Sequence, residues 1–185
     1  NLGCGNPINL MDFILCLEEV LGTESKKIML GMQPGDVKST WADISKAREL
    51  LQYAPQTDYK LGIENLKTVK QIHSNKIKII KNIKEITSHY EADALITRIP
   101  NIILGILTAD CAPVLVFDAK KNIIAAIHIG WKGAINNILS KTIENIINIG
   151  SNVKDINLAI GPCIGPESYE VKEDFYKIFI KRNIN

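Results

Sequence analysis

Residues 105–133, GILTADCAPVLVFDAKKNIIAAIHIGWKG, decide the reading of this chain. Two apolar runs of strand type, 103–107 and 123–127, each break into polar and reactive residues. The first breaks at Thr108-Ala109-Asp110-Cys111 and the second at His128-Ile129-Gly130-Trp131-Lys132-Gly133. An apolar strand ordinarily ends in a plain turn. Here each run ends on a side chain able to hold a metal, and strand ends are where a rigid scaffold presents chemistry. A third such residue, His73 in Gln71-Ile72-His73-Ser74, lies upstream. One Cys and two His make a three-ligand shell for zinc with a fourth position open.

Outward from this stretch, residues 118–122 read as a hairpin connection between strands at 114–117 and 123–128. Upstream, 69–80 reads as a strand interrupted near Ser74-Asn75 and carrying His73. Residues 91–97 lead into a second short strand, and 102–107 form a third. Downstream, Ile135, Ile138, Leu139, Ile143, Ile146 and Ile147 mark an amphipathic helix that Gly150 ends. Residues 156–160 read as a buried strand stopping at Gly161-Pro162-Cys163-Ile164-Gly165-Pro166, with Cys163 expected to be a packed thiol. A last helix begins near Glu173. Strands in groups with helices outside predict an α+β or layered α/β fold.

The chain of 185 residues is 46% apolar, as a folded domain requires, and is long enough for one domain or parts of two. A net charge of +2 with scattered Lys gives no basis for a nucleic-acid partner. No apolar run approaches the roughly 18 residues that span a bilayer, so no membrane partner is expected. The four Cys form no CxxC pair, and no charged leader precedes an apolar core, which together predict a cytoplasmic, reducing location. The first residue is Asn rather than Met, so a fragment or a processed product is expected.

Near the start, Asn9 can cap a helix from Leu10, with Asp12 in its first turn and Gly22 as its stop. A short strand is expected at 28–30, and a second helix from about 43 to 51. The segments NLGCGNPINLMDFILCLEEVLG, MQPGDV and TWADISKARELLQYAPQT resemble the C-terminal end of nucleotide-sugar epimerases of the short-chain dehydrogenase type, most closely UDP-glucuronate epimerases. The resemblance covers nearly all of residues 1–66 and implies part of a sugar-nucleotide lid. The dinucleotide-binding Gly-rich turn and the Tyr-x-x-x-Lys pair have no counterpart, so no NAD is expected. Composition shifts at the same place, from 5 Ile and 10 Leu up to Leu66 to 27 Ile and 6 Leu after it. Two pieces are therefore expected, an epimerase-like fragment at 1–66 and a metal domain at 67–185.

The motifs QIHSNKI, EADALIT, LTADCAPVLVFD, AAIHIGWKGA and AIGPCIGPESYEV resemble the laccase-domain family. These are the YfiH-like purine nucleoside phosphorylases once labelled polyphenol oxidases. The resemblance runs in order over 67–171. It implies a layered α/β/β/α sandwich, truncated here at both ends, after a small α/β fragment. It also implies zinc held by His73, Cys111 and His128. The implied activities are phosphorolysis of adenosine, inosine and methylthioadenosine, and deamination of adenosine. Lys132 stands where the family has Arg, keeping the charge but losing the bidentate fork for phosphate.

On chemical grounds Asp110 is the expected proton carrier, and Lys132 the expected charge for phosphate. Trp131 can stack on a purine, Gly130 and Gly133 allow close backbone approach, and Gln71 is a further substrate-contact candidate. Two rival readings stand beside this one. Copper on the same three ligands would suit oxidation of phenols, although the chain has only 3 His. An inactive fusion, or a residual epimerase piece, is the other. Oligomeric state is not indicated.

Overall fold

The hairpin at the centre of the chain forms as its alternation demands. In the computed structural model, β5 (Ala112–Asp118) and β6 (Ile123–Ile129) pair antiparallel, with Pro113 opposite His128 and Asp118 opposite Ile123. Asp118 closes the turn by accepting the Lys120 and Lys121 N–H groups at 2.8 and 3.1 Å. Asn122 completes it at φ +52°, a left-handed conformation that Asn tolerates. The structure describes residues 5–35, 37–39, 41–85 and 87–181. They fall into two units, Asn1–Glu64 and Asn65–Asn185.

The second unit is built on a mixed five-stranded sheet. Its remaining strands are β2 (Ile77–Ile80), β3 (Ala94–Thr97) and β7 (Asn157–Ile160), in the order β2-β3-β6-β5-β7. Only β2 and β3 run parallel. Helices α4 (Trp131–Ile135) and α5 (Ile138–Asn148) follow β6. Ile138 and Ile146 of α5 pack with Ala94, Ile96, Val114, Val116, Ile123, Ala125 and Ile127 on one sheet face. On the other face, Leu95 and Ile80 join Val69, Ala92 and Ile102. Leu104, in a two-stranded parallel ribbon of β1 (Leu66–Lys67) and β4 (Ile103–Leu104), packs against that cluster. Helix, sheet and ribbon make an α/β/β stack of α+β class. The last helix, α6 (Glu173–Lys181), starts where expected.

Several expected elements differ. The strand predicted over 69–80 is present only as β2, and His73 sits on a turn at φ +56°. The run 102–107 pairs only at Ile103 and Leu104, because the Gln71 side-chain amide binds the Leu107 C=O and N–H at 2.8 and 2.7 Å. The helix predicted from Ile135 is two helices, broken where Asn137 turns left-handed at φ +59°. Gly150, at φ +106°, ends the second one as expected. Strand β7 is exposed at every residue instead of buried, because it is a sheet edge paired to β5 alone.

In the first unit, α1 (Leu10–Leu21) is capped as predicted: the Asn9 side chain accepts the Met11 N–H at 2.8 Å, and Gly22 terminates the helix at φ +63°. Helices α2 (Ser45–Leu51) and α3 (Tyr59–Asn65) follow. The strand predicted at 28–30 does not form, and Ile28, Met29 and Leu30 are 73–77% exposed, with no strand beside them among the described residues. Cys16 is a core residue; Cys4 and Asp36 lie outside the described residues.

Candidate metal centre and its pocket

The β5–β6 hairpin brings two of the three expected ligands together. Cys111 immediately precedes β5, and His128 is the next-to-last residue of β6, opposite Pro113. His73 reaches the same place from its turn. The ligand atoms of His73, Cys111 and His128 all lie within 4.8 Å of one another. Cys111 Sγ is 3.9 Å from His73 Nε2, and the two imidazoles meet edge-on with centroids 4.8 Å apart. Ligands at about 2.0–2.3 Å around a tetrahedral ion stand roughly 3.3–3.8 Å apart, so a small contraction would close this group on zinc or a similar ion. The donor set therefore fits a metal.

Close backbone approach makes the group possible. A Cβ at Gly130 would lie 2.7 Å from His73 Cδ2 and 3.3 Å from Cys111 Sγ. A Cβ at Gly133 would lie 2.9 Å from the Ser74 carbonyl oxygen, so α4 can meet the His73 turn only with glycine there. Beneath the histidines sits Asp93, fully buried. Its Oδ1 accepts His128 Nδ1–H at 2.8 Å and the His73 N–H at 3.0 Å. Its Oδ2 accepts the Ser74 hydroxyl and N–H, both at 2.7 Å, and the Ile72 N–H at 3.3 Å. Burial pushes the Asp93 carboxyl up, but the bonds from Ser74, His128 and Ile72 outweigh it and hold it below the usual carboxylate range. Burial first, and then the charges of Asp110 and Asp93, push the Cys111 thiol up. A bound cation reverses that balance, since the ligand form of Cys is the thiolate.

A cavity of about 360 Å³ opens beside the group, lined among others by His73, Asp110, Cys111, Gly130, Trp131, Cys163 and Tyr169. Its size falls within the roughly 300–1,000 Å³ of small-molecule sites. Trp131 and Tyr169 form an aromatic wall, each against Phe175 of α6 at 5.1 and 5.8 Å between centroids. Of the expected site residues, Asp110, Trp131 and Gly130 line the cavity with two of the ligand candidates, His73 and Cys111, while His128 is buried and is not among the lining residues. Lys132, Gly133 and Gln71 are not among its lining residues. Lys132 is exposed with Nζ 5.5 Å from the Trp131 ring, Gly133 is buried within α4, and the Gln71 amide is occupied by Leu107. Cys163 is an exposed residue that lines the cavity and not the packed thiol expected. Sequence reading passed over Asp93 and Tyr169. Each falls within a motif that carries the family resemblance, Asp93 in EADALIT and Tyr169 in AIGPCIGPESYEV, but locally they read only as an acid at the head of an apolar strand and an aromatic after a Gly-Pro turn.

A family model described as multi-copper polyphenol oxidoreductase laccase matches residues 24–185. The chain belongs to that family. This laccase-family chain is 39% identical over 122 residues to a purine nucleoside phosphorylase of Rickettsia conorii, a match covering 66% of this chain and 49% of the relative. It is 32% identical over 132 residues to adenosine deaminase RL5 from an unknown prokaryotic organism, covering 68% and 50% respectively. The crystal structure of the Bacillus licheniformis hypothetical protein YfiH matches with a TM-score of 0.61 at 28% identity, over 75% of this chain and 51% of that one. The chain thus spans about half the length of these relatives. The family match begins at residue 24, inside the stretch expected to be epimerase-like, and none of the relatives named above is an epimerase. Among the described residues no helix is long and apolar enough to cross a membrane.

Proposed function

We propose that this chain is the metal-holding part of a purine nucleoside phosphorylase with adenosine deaminase activity, acting on adenosine, inosine and methylthioadenosine in the cytoplasm, with zinc as its metal. One observation carries the reading. Three ligand-type side chains converge beside an aromatic-walled cavity, in a chain whose relatives are named for those two activities. Two imidazoles and a thiolate suit zinc, and the cavity leaves an open side for substrate. When bound, zinc supplies Lewis-acid polarisation at that open side.

The chain's own residues do the rest. Trp131 stacks on the purine, with Tyr169 as the second aromatic surface. Asp110, beside Cys111, carries the proton. In phosphorolysis a phosphate oxygen bonds the ribose anomeric carbon while the glycosidic C–N bond breaks, and the leaving purine nitrogen takes that proton. Lys132 attracts the phosphate from the rim, beyond Trp131. Gly130 and Gly133 let the backbone and α4 close up to His73, and Gln71 acts through the Leu107 segment that leads into the Asp110-Cys111 turn. Residues 1–66 form a separate piece of epimerase-like ancestry with no part in hydride transfer.

The family's description favours one rival, copper on the same ligands with phenols as substrates. Metal content by mass spectrometry, with adenosine-plus-phosphate and phenol-oxidation assays on the same sample, separates the two. The proposal expects about one zinc per chain and release of adenine or inosine. Cys111→Ala removes both metal and turnover. Copper with phenol oxidation would replace the proposal, and full turnover without metal would sink it. A chain with neither metal nor turnover is the inactive fusion.

A further inference from the structure

We propose that Asp93 is the positioning residue of this centre, one buried carboxylate that sets the tautomer of His128 and the backbone path of His73 together. The inference rests on the metal reading above. Asp93 heads β3 and is tied in by its own backbone. Its N–H donates to the Lys76 carbonyl at 3.0 Å, and its carbonyl accepts the His128 N–H at 2.8 Å. Its carboxylate takes five donors, and every one comes from His128 or from the 72–74 turn. A carboxylate has about four lone-pair positions, so this one is saturated by the two histidine elements.

Two consequences follow from that saturation. With Nδ1–H given to Asp93, the lone pair left on His128 is at Nε2, the atom free to face Cys111 and His73. The free imidazole prefers the opposite tautomer, so the carboxylate makes the choice. On the other side, His73 holds a left-handed φ of +56°, a conformation that is unfavourable for a non-glycine residue unless its surroundings hold it there. Three successive N–H groups, from Ile72, His73 and Ser74, converge on Asp93 only when the chain curls that way. The left-handed turn and the bare Nε2 thus have one cause.

An amide at this position, as in Asp93→Asn, cannot serve both. With its oxygen toward His128, it points its NH2 at the Ile72 and Ser74 N–H groups. With its NH2 toward His128, it drives the proton to Nε2 and removes the lone pair a metal needs.

The test uses the full chain and zinc. Long-range 1H–15N correlation on the metal-free wild type, above the range in which His titrates, is expected to show His128 protonated at Nδ1 and bare at Nε2; three histidines make the assignment tractable. Chelator competition is expected to show zinc affinity reduced about 10–100-fold in Asp93→Asn, with His128 shifted toward the Nε2–H tautomer. Wild-type His128 protonated at Nε2 overturns the inference, and this reading holds even if the variant does not fold. Zinc uptake by wild type with unchanged affinity in a folded Asp93→Asn overturns this inference alone. A wild type that takes up no zinc overturns the metal reading and this inference with it.

Discussion

At Gly130 there is room for a hydrogen and nothing larger. The nearest atoms to an added Cβ belong to two of the three ligand candidates, His73 and Cys111. Gly130→Ala therefore pushes the His73 ring away from Cys111 without touching the hydrophobic core. Zinc affinity in chelator competition is expected to fall about tenfold or more, while the melting temperature stays close to wild type. Unchanged affinity would mean that His73 does not bind the ion from this side. The ligand candidates were legible in the sequence because Cys111 and His128, standing at the ends of apolar runs, are chemically conspicuous, with His73 as a third such residue upstream. Asp93 was not. A single Asp ahead of a strand reads equally well as a turn residue, and only its burial beside five donors distinguishes it.

At the level of elements, α5 owes its place to a strip of Ile. Ile138 and Ile146 are fully buried against β3, β5 and β6, whereas Ile160 on β7 is 65% exposed. Ile146→Ala is expected to destabilise by about 2–5 kcal/mol. Ile160→Thr should stay within about 0.5 kcal/mol. Urea unfolding followed by circular dichroism checks both, and a large effect at Ile160 would mean that β7 is covered in solution. The sequence put both residues in the core, because composition reports how apolar an element is and not whether a neighbour reaches it. The break between α4 and α5 was hidden for a related reason. Asn136-Asn137 suits a helix poorly but does not forbid one, and the break appears only in the structure, where Asn137 turns left-handed and the Asn136 carbonyl accepts the Asn75 side-chain N–H at 2.9 Å.

For the whole molecule, apolar surface remains open on both faces of the β5–β7 edge. Leu115 and Phe117 are 56% and 47% exposed on the face away from α5. Leu158 and Ile160, opposite Val116 and Val114, lie on the α5 face and are 44% and 65% exposed. Adjacent apolar groups of this kind bind amphiphilic dyes. The 185-residue chain is expected to enhance anilinonaphthalene sulfonate fluorescence while unfolding cooperatively, and a Leu115→Lys, Phe117→Lys double variant should lose much of that signal. No dye binding by a folded wild type would show that this surface is closed in solution.

By itself the sequence determined the local order: the capped first helix, the central hairpin with its Asp118 turn, the α+β class, and the identity of three metal-ligand candidates. These depend on patterns within one or two elements, where side-chain period and turn chemistry act directly. Only the tertiary structure decided which strand lies at the edge, why His73 turns left-handed, and which residues wall the cavity. Each of those depends on groups far apart in the chain meeting at one point, as Asp93 meets His73 and His128, and no local pattern encodes that meeting.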